Sequence, residues 1–87
     1  MVPEDAIRVV QVTPFAVSEL GEGLNRRLIV EWRATIDPGG PTRIAACPLR
    51  LNHLWPRLKS AKDRPCLLYL AGSTIVGVSR SELPIAG

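Results

Sequence analysis

Eighty-seven residues leave room for one domain, and 46% apolar with 22% charged residues is the balance of an ordinary globular chain. No apolar run reaches the ~20 residues that a membrane-crossing helix needs. The net charge of +3 is unevenly laid out: residues 1–40 carry six acids against four bases, and residues 41–87 carry seven bases against two acids. The opening Met1-Val2-Pro3-Glu4-Asp5 is acidic where a secretory signal is basic, so the expected location is cytoplasmic, with no membrane partner.

Residues 6–12 read as a first strand, stopped by Thr13-Pro14 because proline cannot donate to a ladder. Residues 14–25 then read as a long connection, with Phe15, Val17 and Leu20 making it too apolar for a purely solvated loop. Residues 27–36 give the clearest element, since Leu28, Val30, Trp32, Ala34 and Ile36 alternate with Ile29, Glu31, Arg33 and Thr35. Side chains on a strand point to opposite faces with period two, so this is a half-buried antiparallel strand. Asp37-Pro38-Gly39-Gly40-Pro41 is a turn, and residues 42–47 resume an extended run until Pro48, completing a hairpin.

From residue 51 to 61 the period changes. Leu51, Leu54, Leu58 and Ala61 recur at three- and four-residue steps, as in an amphipathic helix, with Asn52 as its N-cap and Pro56 in the first turn. Its outward face carries Arg57, Lys59 and Lys62, flanked by Arg50 and Arg64. Residues 66–71 and 74–79 are two strands joined by Gly72-Ser73, and residues 81–87 form a tail anchored by Leu83 and Ile85. Mainly β with one short helix, the chain is expected to form a small, partly closed antiparallel barrel, SH3-like, with an OB-like barrel as the alternative.

Little catalytic chemistry is legible. His53 is the one histidine, and with Cys47 and Cys66 far apart in sequence it has no metal-ligand spacing, so no metal and no cofactor is expected. Gly21-Glu22-Gly23 is a bare GxG, with Arg26 where a dinucleotide fingerprint has its third glycine. The two cysteines read as buried thiols, a disulfide between neighbouring strands being the alternative. Arg33 and Thr35, on the polar face of the second strand, are the candidates for a metal-independent ribonuclease. Aromatics for base stacking are few: Phe15 and Tyr69, with Trp32 and Trp55 reading as core.

The run Leu28-Ile29-Val30-Glu31-Trp32, the Asp37-Pro38-Gly39 turn and Arg43-Ile44-Ala45-Ala46-Cys47-Pro48-Leu49 resemble the early hairpin of the CcdB-type plasmid-addiction toxins. Leu67-Leu68-Tyr69-Leu70-Ala71-Gly72 and residues 79–84 resemble that family's later strands. The resemblance implies an SH3-like barrel, a homodimer and a toxin neutralised by a cognate antitoxin. Its gyrase poisons end in a Trp-bearing helix, whereas this chain ends Ile85-Ala86-Gly87, which departs from gyrase poisoning. The first expectation is therefore a non-enzymatic protein that binds a protein partner, in a plasmid, phage or toxin–antitoxin setting. Its contact residues would be Phe15, Val17, Leu20, Arg50, Arg57, Lys59, Lys62 and Arg64. The alternatives are a nucleic-acid-binding barrel using the basic half, or the ribonuclease.

Overall fold

A computed structural model describes residues 6–37 and 39–80. Pro38 of the expected turn, and the tail with Leu83 and Ile85, lie outside the described residues. Five strands, β1 (Ile7–Leu20), β2 (Arg27–Ala34), β3 (Arg43–Pro48), β4 (Cys66–Ala71) and β5 (Thr74–Arg80), follow one another in a hydrogen-bonded ring in the order β1-β2-β3-β5-β4 and back to β1. The short helix α1 (Trp55–Ser60) lies between β3 and β4 in sequence. Every neighbouring pair is antiparallel except β3 with β5, which meet in parallel at Ala46 and Thr74, with the Ala46 amide donating to the Ser73 carbonyl at 2.9 Å. An all-antiparallel sheet is thereby corrected at this one seam.

Residues 14–20 belong to β1, not to a loop. The first half of β1 pairs with β4 as far as Val12–Cys66, and the second half pairs with β2 from Val12–Ala34 to Leu20–Arg27. Pro14 is fully buried inside this strand. Its missing amide is harmless because the ladder to β4 has already ended, and its carbonyl accepts the Asp63 amide at 2.7 Å, outside the β1–β2 ladder. Immediately after it the register slips by one, pairing Pro14 with Trp32 and Ala16 with Glu31 and leaving Phe15 as the bulged residue. A proline on a strand shared between two neighbours marks the change of partner, not the end of the strand.

Strand alternation fills the ring. Leu28, Val30 and Trp32 of β2, Ala45 and Cys47 of β3, and Cys66, Leu68 and Leu70 of β4 all point inward and are buried. Ala34 and Ile36 do not continue the inner face: β2 ends at Ala34, and Ile36 is 86% exposed. On β5 the inward residues are Ile75 and Val78, three apart, because a second bulge shifts the register from Leu70–Ile75 to Tyr69–Gly77. Each large aliphatic side chain sealed in this core contributes about 1.5–3 kcal/mol of burial free energy.

Leu54, Trp55 and Leu58 of the helical segment are buried in the same core cluster as the strand residues. The helix is shorter than its period suggests, and Asn52 does not cap it. Residues Leu49–Leu54 form two short 3-10 turns separated by a kink at Leu51 (φ −109°, ψ 32°), α1 begins at Trp55, and no side chain caps its start. Pro56 sets this limit: an α-helical turn needs its amide bonded to the Asn52 carbonyl, and proline has no amide to give. Beyond α1, Asp63 takes a left-handed conformation with φ 65° and turns the chain toward β4.

The β1–β2 connection depends on Gly21, whose φ is +89°; a Cβ there would meet the Asn25 carbonyl oxygen at 2.5 Å. Gly23 also has positive φ, at +58°, but faces open space. Gly21→Ala should therefore lower the urea-unfolding free energy by about 1 kcal/mol or more beyond Gly23→Ala. Equal losses in the two variants would contradict this account of the turn.

Candidate functional site

Two surfaces gather functional side chains, and the bulge in β1 creates the first. Expelled from the pairing, Phe15 lies on the outside of the ring, where the Arg33 guanidinium of β2 stacks over its ring with 4.7 Å to the centroid. Arg33 Nε also donates to Thr42 Oγ1 at 3.4 Å. Beside this pair the Thr13 and Thr35 hydroxyls lie 3.1 Å apart. The outward residues of β2 are Arg27, Ile29, Glu31 and Arg33, and across from Glu31 on β3 stands Ile44, 59% exposed. This face thus combines a cation over an aromatic ring, three hydroxyls and an exposed aliphatic side chain.

The expected contact residues separate into different places. Phe15 is on this outer face. Val17, two residues on, packs against the core, and Leu20 ends β1 half-exposed; neither lies in a loop. The basic face of the helix is likewise divided. Lys59 Nζ reaches back to Glu19 Oε1 at 3.1 Å, while Arg26 holds the other oxygen, Oε2, at 2.8 Å. Arg26, followed by Lys59, keeps the Glu19 carboxyl below the ordinary carboxylate value. Arg26 also lies over the Trp55 ring at 5.6 Å, so these cations fasten the β1–β2 turn to α1. Lys62 lies 3.8 Å from Asp63, and Arg50 is exposed on the 3-10 helix.

Arg57 and Arg64 instead meet at a second surface, a groove of about 480 Å³ between α1, the following turn and the end of β5. Arg80, Ser60 and Ser79 complete its polar lining. Arg80 and the two serines carried no sequence signal, because only folding brings the end of β5 against α1.

Among the described residues, no group of three or more His, Cys, Asp or Glu side chains is placed to hold a metal ion, and no helix is long and apolar enough to cross a membrane. Cys47 and Cys66 are free, buried thiols on strands separated in the ring by β5. Burial raises both above the ordinary thiol value, Cys66 to about 11. No family model, curated protein or solved structure matches the chain. The likeness to CcdB-type toxins rests on the strand-and-turn pattern alone.

A thiol whose pKa is raised by folding stabilises the fold fully below its unfolded value of 9.0, and that contribution is lost as the pH rises through about 11. Stability should therefore fall between these pH values, as read by urea titrations at stepped pH. At pH 8 an aromatic disulfide reagent should label the native thiols on the order of a hundredfold more slowly than those of the urea-unfolded chain. Native labelling at the unfolded rate would contradict the burial of both residues.

Proposed function

We propose that the ring is an OB-type barrel and that the outer face of β1, β2 and β3 binds single-stranded nucleic acid. Of the two architectures expected from sequence, the OB type fits the order β1-β2-β3-β5-β4, with the first strand shared by two neighbours and a helix between the third and fourth strands. Five-stranded barrels of that type use the face of their second and third strands, with the adjoining loops, to take oligonucleotides and oligosaccharides. The observation that carries the reading is the Arg33–Phe15 contact on the outside of that face, where an exposed guanidinium near the end of β2 covers a half-buried ring. A guanidinium held over an aromatic ring offers a stacking surface to a base and a charge to a phosphate at once.

Charge supports the assignment. Arg27 and Arg33 on the face, and Arg43 at its rim, outnumber Glu31, and the protein carries a net +3. Hydroxyls at Thr13, Thr35 and Thr42 add hydrogen-bonding groups without adding negative charge. A duplex is the poorer fit, since this face presents no helix or ribbon to enter a major groove.

A second reading, contact with a protein partner or a second copy of this chain, draws on the opposite side of the ring. There Ile7, Val9, Leu67 and Tyr69 point outward from β1 and β4, and Val9 is 53% exposed. Scattered exposed aliphatics are common on soluble proteins, so this patch ranks below the stacked pair.

The test is fluorescence anisotropy with labelled single-stranded oligonucleotides and a duplex control. Single strands should bind, with affinity falling as salt rises, at a log–log slope near −0.7 for each phosphate neutralised. Phe15→Ala and Arg33→Ala should each weaken binding by about tenfold, the value of one base stack. Binding that is flat in salt and indifferent to both substitutions would sink the proposal.

A further inference from the structure

The groove beside α1 shares no residue with the strand face, and it carries its own inference. We propose that it is a binding site for a small phosphorylated molecule, holding two adjacent phosphates between Arg57, Arg64 and Arg80. These arginines come from three separate places: the helix, the turn after it and the end of β5. Three permanent positive charges facing one cavity repel one another, and among the described residues no acidic side chain lines the cavity to compensate.

The other cations near α1 show what an ordinary surface does with its charge. Arg26 and Lys59 are tied to Glu19, and Lys62 lies beside Asp63. The side chains of Arg57, Arg64 and Arg80 make no hydrogen bond or ion pair to another described residue, in contrast to those of Arg26 and Lys59. An anion is the missing partner, and the guanidinium fork matches phosphate oxygens in bidentate fashion.

The rest of the lining narrows the ligand. Ser60 and Ser79 supply hydroxyl donors, Ser79 lying 3.5 Å from the Tyr69 hydroxyl. Pro65, Cys66 and Val78 give the cavity an apolar wall, which strengthens charge interactions beside it by lowering the local dielectric. At about 480 Å³ the cavity falls within the roughly 300–1,000 Å³ typical of small-molecule sites. Three guanidiniums around one cavity suit the concentrated charge of a pyrophosphate-type group, where a polymer backbone needs cations strung along a track.

Inorganic pyrophosphate, titrated calorimetrically into the full chain at roughly 0.1 M salt, is the direct probe. One saturable site is expected. Arg57→Ala, Arg64→Ala and Arg80→Ala should each weaken it by about tenfold, since each removes a charge-assisted contact. Arg57→Lys should restore only part of the loss, because an ammonium keeps the charge without the fork. Arg8→Ala removes the same charge from β1, far from the groove, and should leave affinity within about twofold. All three arginines are exposed, so the variants should keep the native melting transition, which is checked first.

Three results would overturn the proposal. One is no saturation at millimolar pyrophosphate; another is an Arg8→Ala loss as large as those in the groove. The third is a groove that ignores pyrophosphate while its arginine variants lose single-stranded oligonucleotide. The strand-face reading stands or falls separately, on Phe15 and Arg33.

Discussion

One strand, β1, carries both margins of the sheet, and the ring exists because it changes partner midway. Val12 pairs with Cys66 on one side and Ala34 on the other, and from there the strand leaves β4 and follows β2. Two things make the change possible at Pro14. Its nitrogen has no hydrogen to leave unsatisfied where the β4 ladder has stopped, and its carbonyl is claimed by the Asp63 amide at the end of the helical segment. That single bond fastens the strand's pivot to the turn after the helical segment, whose Leu54, Trp55 and Leu58 are buried in the core.

The same pivot produces the candidate site. A bulge pushes one residue out of register, and here that residue is Phe15, placed on the outside where Arg33 can cover it. Without the slip the strand would alternate regularly, and the residues after Pro14 would exchange faces. Closure of the ring and the outward placement of the Phe15–Arg33 pair are thus two results of one irregularity. The helical cap has a similar double effect. Its buried side closes the core, while its outer side and the turn after it place Arg57 and Arg64 opposite Arg80, making a basic groove that neither segment forms alone.

Much of the fold is legible in the sequence where period and turn chemistry agree. The alternation from Leu28 to Trp32, the two-residue Gly72-Ser73 turn and the buried Leu54–Leu58 spacing all carry through to the structure. The failures share a physical cause. Reading Pro14 as a stop assumes a strand with the same neighbours along its length, and β1 changes them. Reading 51–61 as one α-helix follows the apolar spacing and underrates Pro56, which forces the preceding turn into a 3-10 form. Taking Arg57, Lys59 and Lys62 as one face overlooks Glu19, which draws Lys59 toward β1 through a pairing 40 residues apart in sequence. Arg80 and Ser79 gain meaning only from tertiary contact, so no local pattern marks them.

The central claim is that the face organised by this bulge is where the protein meets its ligand. Amide chemical-shift mapping with a single-stranded oligonucleotide locates that contact residue by residue. The account predicts progressive shifts confined to residues 13–16, 29–35 and 42–46, with the β1–β4 side around Val9 and Tyr69 unmoved. Shifts centred on Val9, Leu67 and Tyr69, or none at all at low salt, would contradict it.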